Sequence, residues 1–174
     1  TGTDNDANLH LNKNHAVSGS EYIGNQGLNT STYFNVGNDS HVNDNGVEYI
    51  AYVFSNKTGF SKSGTYTGNG NANGTFVYTG FKPAFIMLKR TNSTGNWNMY
   101  DSKRLGYNVL NYNLAANTTG ADDAGNLIDI LSNGFKPRNT DVSNNAGNST
   151  YVYMAFAAEP LVANVGGSIP ATAR

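Results

Sequence analysis

Apolar residues along this chain fall into short runs separated by clusters of Gly, Asn, Ser and Thr. The strongest runs are Val47 to Phe54, Phe76 to Tyr78, Ala84 to Leu88 and Tyr151 to Ala157. Weaker ones are Tyr33 to Val36, Trp97 to Tyr100, Tyr107 to Leu114 and Leu127 to Leu131. Runs this short, rich in β-branched and aromatic residues and bounded by turn formers, predict strands. Val47 to Phe54 sets Val47, Tyr49, Ala51 and Val53 on one face and Ile50, Tyr52 and Phe54 on the other. Apolar residues on both faces predict a strand covered on both sides, or on one side by a partner chain. Tyr151 to Ala157 reads the same way. Asn96 to Tyr100 alternates instead, with Trp97 and Met99 together and Asn98 opposite, as a half-exposed strand does. Ala121 to Leu131 is the one segment that admits a helix. Gly68-Asn69-Gly70 and Asn73-Gly74 mark turns where a positive φ is cheap, and the many other Asn residues suit loops that cap their own backbone. The expected fold is all-β: an antiparallel two-sheet sandwich of lectin-like or jelly-roll type.

The sequence also echoes itself. Phe34 followed by Asn43 to Phe54 resembles Phe135 followed by Asn144 to Phe156. In both, an Asn-rich turn containing Gly leads into Tyr-x-x-x-x-Phe, pairing Tyr49 with Tyr151 and Phe54 with Phe156. Gly80-Phe81-Lys82-Pro83 and Gly134-Phe135-Lys136-Pro137 share their letters but precede different things. A true repeat makes residues 1–58 the back half of one unit, residues 59–162 a complete unit and 163–174 a tail. The two Tyr-to-Phe strands then occupy equivalent central places, in one pseudo-symmetric sandwich or in a truncated tandem.

Composition narrows the function classes. The 174 residues suit one sandwich-sized domain, and 38% hydrophobic residues with 11 Tyr and 8 Phe give a thin, tyrosine-rich core. Only 13% of residues are charged and the net charge is −1, so no global field draws nucleic acid or an anionic membrane. With no Cys there is no thiol nucleophile, Cys-based zinc site or iron–sulfur cluster. No apolar run approaches the ~18 residues of a membrane span, and no signal peptide is visible. A start at Thr1 without an initiator Met is expected of a processed chain or a piece of a longer one.

Few residues carry candidate chemistry. Among the carboxylates, Glu48 and Asp101 are the one pair worth testing for glycoside hydrolysis, against the plainer reading of surface and turn acceptors. His10, His15 and His41 lie among polar loop residues without a nucleophile elbow, and no enzyme activity is expected. Asp4-Asn5-Asp6 and Asp122-Asp123 offer oxygen ligands of the kind calcium takes, but Asp and Asn in turns explain them as well. No metal site and no cofactor is assigned. Gly68-Asn69-Gly70 and Gly166-Gly167 lack the partners of a phosphate cradle.

The sharpest binding hypothesis is a carbohydrate site of Trp97, Tyr100, Asp101, Arg104 and Tyr107. Aromatic rings there could stack on a pyranose while the charged and amide groups take its hydroxyls. Against it, Trp97 shares a face with Met99, as a core residue does. Assembly is the other class. Doubly apolar strands and tyrosine-rich faces suit burial against identical chains, with Tyr49, Tyr52, Tyr151 and Tyr153 as candidate interface residues.

The stretch from Gly64 to Arg174 resembles a C-terminal domain family of uncharacterised marine bacteriophage proteins. The resemblance is carried by Tyr66-Thr67-Gly68-Asn69-Gly70, Gly80 to Phe85, Leu88-Lys89-Arg90, Trp97 to Ser102, Gly134-Phe135, Tyr151 to Ala157 and the closing Pro170 to Arg174. Such domains often follow a laminin-G or concanavalin-like lectin domain and are regarded as tail-fibre or other virion components. The resemblance implies a lectin-like β-sandwich on the virion surface, serving assembly and host attachment as a homo-oligomer, a trimer by analogy with phage fibres. It brings no active site.

Overall fold

The computed structural model describes residues 7–19, 30, 32–104, 108 and 110–159. Its elements are β1 (Ala7–Asn8), β2 (Ser18–Gly19), the single turn α1 (Ser40–Asn43), β3 (Ser61–Thr67), β4 (Val77–Tyr78), β5 (Pro83–Arg90), β6 (Asn98–Asp101), β7 (Leu110–Ala115), β8 (Asp123–Leu131), β9 (Gly134–Pro137) and β10 (Thr150–Ala157). β1 and β2 pair as a two-stranded hairpin. The other eight strands form one antiparallel sheet in the order β3-β10-β5-β6-β7-β8-β9-β4. The all-β antiparallel expectation is therefore met.

The two expected layers are two halves of one sheet rolled on itself into a nearly closed, barrel-like shape. Tyr66 sits on the first strand of the order and Phe135 on the seventh, yet their rings meet edge-on at 5.9 Å. At about 4.8 Å between neighbouring strands, a flat sheet would hold those strands nearly 30 Å apart. Closure buries one face of each strand. Tyr66, Ile86, Leu88, Tyr100, Ile128, Phe135, Tyr151, Tyr153 and Ala155 fill the interior.

β10 is the hub. It pairs with β3 on one side and β5 on the other, setting Tyr151 opposite Tyr66 and Arg90, and Tyr153 opposite Leu88. Its odd positions point inward, while Val152, Met154 and Phe156 lie half-buried on the outer face. The loop entering β10 is a corner held by tyrosines. Tyr151 Oη donates to Val142 O (2.8 Å) and accepts from Ala146 N–H (2.9 Å), and Tyr66 Oη donates to Asn144 O (2.7 Å). Asn145 ties the corner to the β3–β4 loop through Asn69 and Asn71. That loop approaches closely because Gly68 and Gly74 have no Cβ: one at either place would collide with the carbonyl oxygens of Ala146 or Pro137.

Four sequence expectations are corrected. Ala121 to Leu131 holds no helix, since it contains β8. Ile128 and Ile130 are buried between half-exposed Leu127, Asp129 and Leu131, a period of two that fits a strand. On β6 the faces are reversed: Asn98 and Tyr100 point inward, while Met99 lies on the outer side and Trp97 takes a carbonyl of the β1–β2 hairpin. Asn98 is tolerated inside because its amide meets Asn113 Nδ2 and Ser143 O. Tyr33 to Val36 forms no strand, and neither does Val47 to Phe54. The latter sequence satisfies every local requirement for a strand except neighbours to pair with.

Candidate functional site

Among the described residues, 47–54 carry the longest run of exposed apolar side chains. They follow α1 and run in irregular backbone to the tight turn at Lys57–Ser61 that opens β3. Ile50 is 83% exposed, Tyr52 82% and Val53 73%, and Val47, Tyr49 and Phe54 are also exposed. Together with Phe34, Val36, His41 and Val42, residues 49–54 line an open, largely apolar concavity of ≈ 650 Å³. Fully burying a side chain of the Val, Ile or Phe class is worth about 1.5–3 kcal/mol. A contiguous apolar stretch of this kind marks an interaction surface more often than it marks idle surface.

The segment is held in place at both ends. At its start, Asp39 caps α1 by accepting from His41 N–H at 2.8 Å, and the same carboxylate takes the His41 ring nitrogen at 2.7 Å. These hydrogen bonds to its charged form hold the Asp39 carboxyl below its ordinary value. Tyr49 Oη then donates to Ser40 O (2.6 Å) and accepts from Asp44 N–H (3.0 Å). At its end, the Phe54 ring meets Phe156 of β10 edge-on at 6.0 Å. The apolar side chains between are thus presented on a fixed frame.

The described residues of the proposed carbohydrate site, Trp97, Tyr100, Asp101 and Arg104, do not present one common face. Tyr100 is 0% exposed; burial holds its hydroxyl well above the ordinary tyrosine value, and the ring offers no face to a sugar. Trp97 is half-buried, and its Nε1–H donates to His10 O at 2.8 Å. Arg104 binds Asp101 through Nε at 2.6 Å and Asp122 through Nη1 at 2.5 Å, and the pairing raises its guanidinium above its ordinary value. Asp101 also accepts from the backbone of Lys103 and Arg104, so it closes a turn, as its plainer reading had it. Tyr107 lies outside the described residues, as do Asp4, Asn5 and Asp6. Among the described residues no three His, Asp or Glu side chains converge as metal ligands.

The four proposed interface tyrosines divide. Tyr49 and Tyr52 are exposed on the unpaired segment, whereas Tyr151 and Tyr153 are barrel core at 0% and 4% exposure. They bury because β10 has sheet on both sides and the first segment has none. Sequence reading missed Phe34 and Val42 as lining residues and Asp39 as the cap that fixes the frame. An Asp immediately before the turn, at 39 and again at 141, was the available signal.

Residues 2–160 match one family, described as a Domain of unknown function (DUF7483). No curated protein and no solved structure matches the chain.

Proposed function

This chain belongs to that family, and we propose that it is a non-catalytic structural module that joins to other protein units through residues 47–54. The carrying observation is that these residues are exposed and apolar on both faces beside a barrel whose own core is filled. Apolar groups held on a fixed frame lose little entropy on binding, which favours a permanent joint over a transient one. The sequence resemblance supports placing the module on a phage virion, in a fibre or other surface appendage that meets the host. In that setting a barrel with few charges and a covered core acts as a spacer or adhesive domain.

The test is native mass across a wide concentration range, for the chain and for a variant with Ile50→Lys and Tyr52→Lys. The chain is expected to self-associate, and the variant to stay monomeric with an unchanged melting temperature, since neither side chain is part of the barrel core. Equal, monomeric masses for both at every concentration overturn the reading.

A further inference from the structure

The segment before residue 55 repeats the local hydrogen bonds of the corner that leads into β10. Asp39 accepts from His41 N–H through its carboxylate and from Asn43 N–H through its carbonyl; Asp141 does the same with Ser143 and Asn145. Tyr49 Oη bridges the groups five and nine residues before it, Asp44 N–H and Ser40 O. Tyr151 Oη bridges Ala146 N–H and Val142 O, again five and nine residues back. Gly46 and Asn148 take the corresponding positive φ of 76° and 58°. All these pairs are related by one shift of 102 positions, as 39 is to 141 and 49 to 151.

The hairpin repeats too, at a shift of 105. Ala7 pairs with Gly19 and Asn8 with Ser18 in β1–β2, as Tyr112 pairs with Ala124 and Asn113 with Asp123 in β7–β8. Lys13 N–H bonds His10 O, as Thr118 N–H bonds Ala115 O. Chance Asn-Gly turns do not reproduce two ladder pairs, a capped turn, a positive-φ residue and a tyrosine bridge in the same order.

We propose that residues 7–54 are the back half of a second unit of this fold. Strand 47–54 is then its β10, to be completed by the β3- and β5-like strands of another unit of the same family. The occupant follows from the repeat. Where the first copy runs unpaired, β10 is flanked by β3 and β5, and the shift turns Tyr49, Ala51 and Val53 inward at the places of Tyr151, Tyr153 and Ala155. A second copy of this chain with its barrel closed has no such gap, because its β5 already lies between β10 and β6; it covers residues 47–54 only through their apolar side chains, without pairing the strand. The partner is therefore a unit whose own β10 place is vacant. The half unit is already seated on the complete one by its hairpin, through Val17 N–H to Thr91 O, Gly95 N–H to Asn14 O and Lys89 Nζ to Asn14 O. Successive units thus have a joint as well as a shared strand. This inference rests on the assembly reading only for the role of strand 47–54.

The test extends the 174-residue chain with a second copy of its residues 55–105 placed directly before Thr1. This sets the added front half 105 positions before the original and gives it the same spacing to β1–β2 that residues 55–105 have to β7–β8. Amide exchange is followed by NMR in both chains. In the chain alone the amides of 49–54 are expected to exchange freely; in the extended chain they are expected to slow by about a hundredfold or more, as in a central strand. Placing Ile86→Pro and Leu88→Pro in the added copy alone is expected to abolish that protection. Unchanged exchange at 49–54, with the 59–159 barrel still folded, overturns the proposal. Association of the parent chain without protection in the extended one sinks this inference alone. Protection without association of the parent sinks the assembly reading alone.

Discussion

Replacing Tyr151 by Phe and, separately, Tyr49 by Phe removes the same two hydrogen bonds from two copies of one corner. At Tyr151 the ring stays in the interior at 0% exposure while Ala146 N–H and Val142 O lose their partner. A net hydrogen bond contributes about 1 kcal/mol, and more when a buried group is left unpaired. Val142 is exposed, so water can serve its carbonyl, but Ala146 is half-buried. The expected loss is about 2 kcal/mol, or about 4–8 °C in melting temperature for a chain of this length. At Tyr49 the bonds are as short, but the ring is 44% exposed and belongs to no sheet, so water replaces them. The expected loss is within about 0.5 kcal/mol, the usual range for surface substitutions. Urea denaturation followed by tyrosine fluorescence or circular dichroism, with both single variants and the double, measures the difference. The double variant should equal the sum of the singles to within about 0.5 kcal/mol, as independent sites do. A loss at Tyr49→Phe matching that at Tyr151→Phe refutes the reasoning, because it puts residues 39–54 inside the cooperative barrel.

Two further outcomes are expected. Gly68→Ala puts a methyl group against the carbonyl oxygen of Ala146, a backbone atom that cannot swing away, and should cost about 1–3 kcal/mol in urea stability; a neutral result means the β3–β4 loop does not approach the corner so closely. Stability should also fall at alkaline pH. Burial raises the hydroxyls of Tyr66 and Tyr100 above the ordinary value of about 10, so their contribution is complete below that pH. Above it the unfolded chain releases protons that the folded chain keeps. Stability then drops by up to about 1.4 kcal/mol per pH unit for each of the two, until the folded hydroxyls ionise. Equal urea midpoints at pH 9 and 11 would contradict this, and Tyr100→Phe should make the fall shallower.

The β character of the chain was legible in its short aromatic runs because strands such as β6, β8 and β10 bury alternate residues against the opposite wall. β10 shows this best, with Tyr151, Tyr153 and Ala155 inside. Two things were not legible. The inward face of β6 is chosen by where Asn98 finds Asn113 and Ser143, partners distant in sequence that no local pattern announces. The binding hypothesis around Trp97 and Tyr100 took nearness in sequence for nearness on a surface. On a strand, Trp97 and Tyr100 stand at positions of opposite parity, so one faces the hairpin and the other the core.

The two Tyr-to-Phe segments separate local from non-local determinants in one molecule. The corner closes through contacts five and nine residues apart, so its formation involves little loop entropy and needs no sheet; both copies form it. The strand that follows is stabilised only by neighbours far along the chain. β10 meets β3 at Tyr66, more than eighty residues away, and only the second copy has such a neighbour. Sequence likeness therefore established the corner at both places and the strand at one. Exposed apolar residues on a correctly formed corner are then the expected appearance of a strand whose sheet lies in another unit. A segment that merely failed to fold would have no reason to keep the tyrosine bridge, the Asp cap and the positive-φ residue at their repeated places.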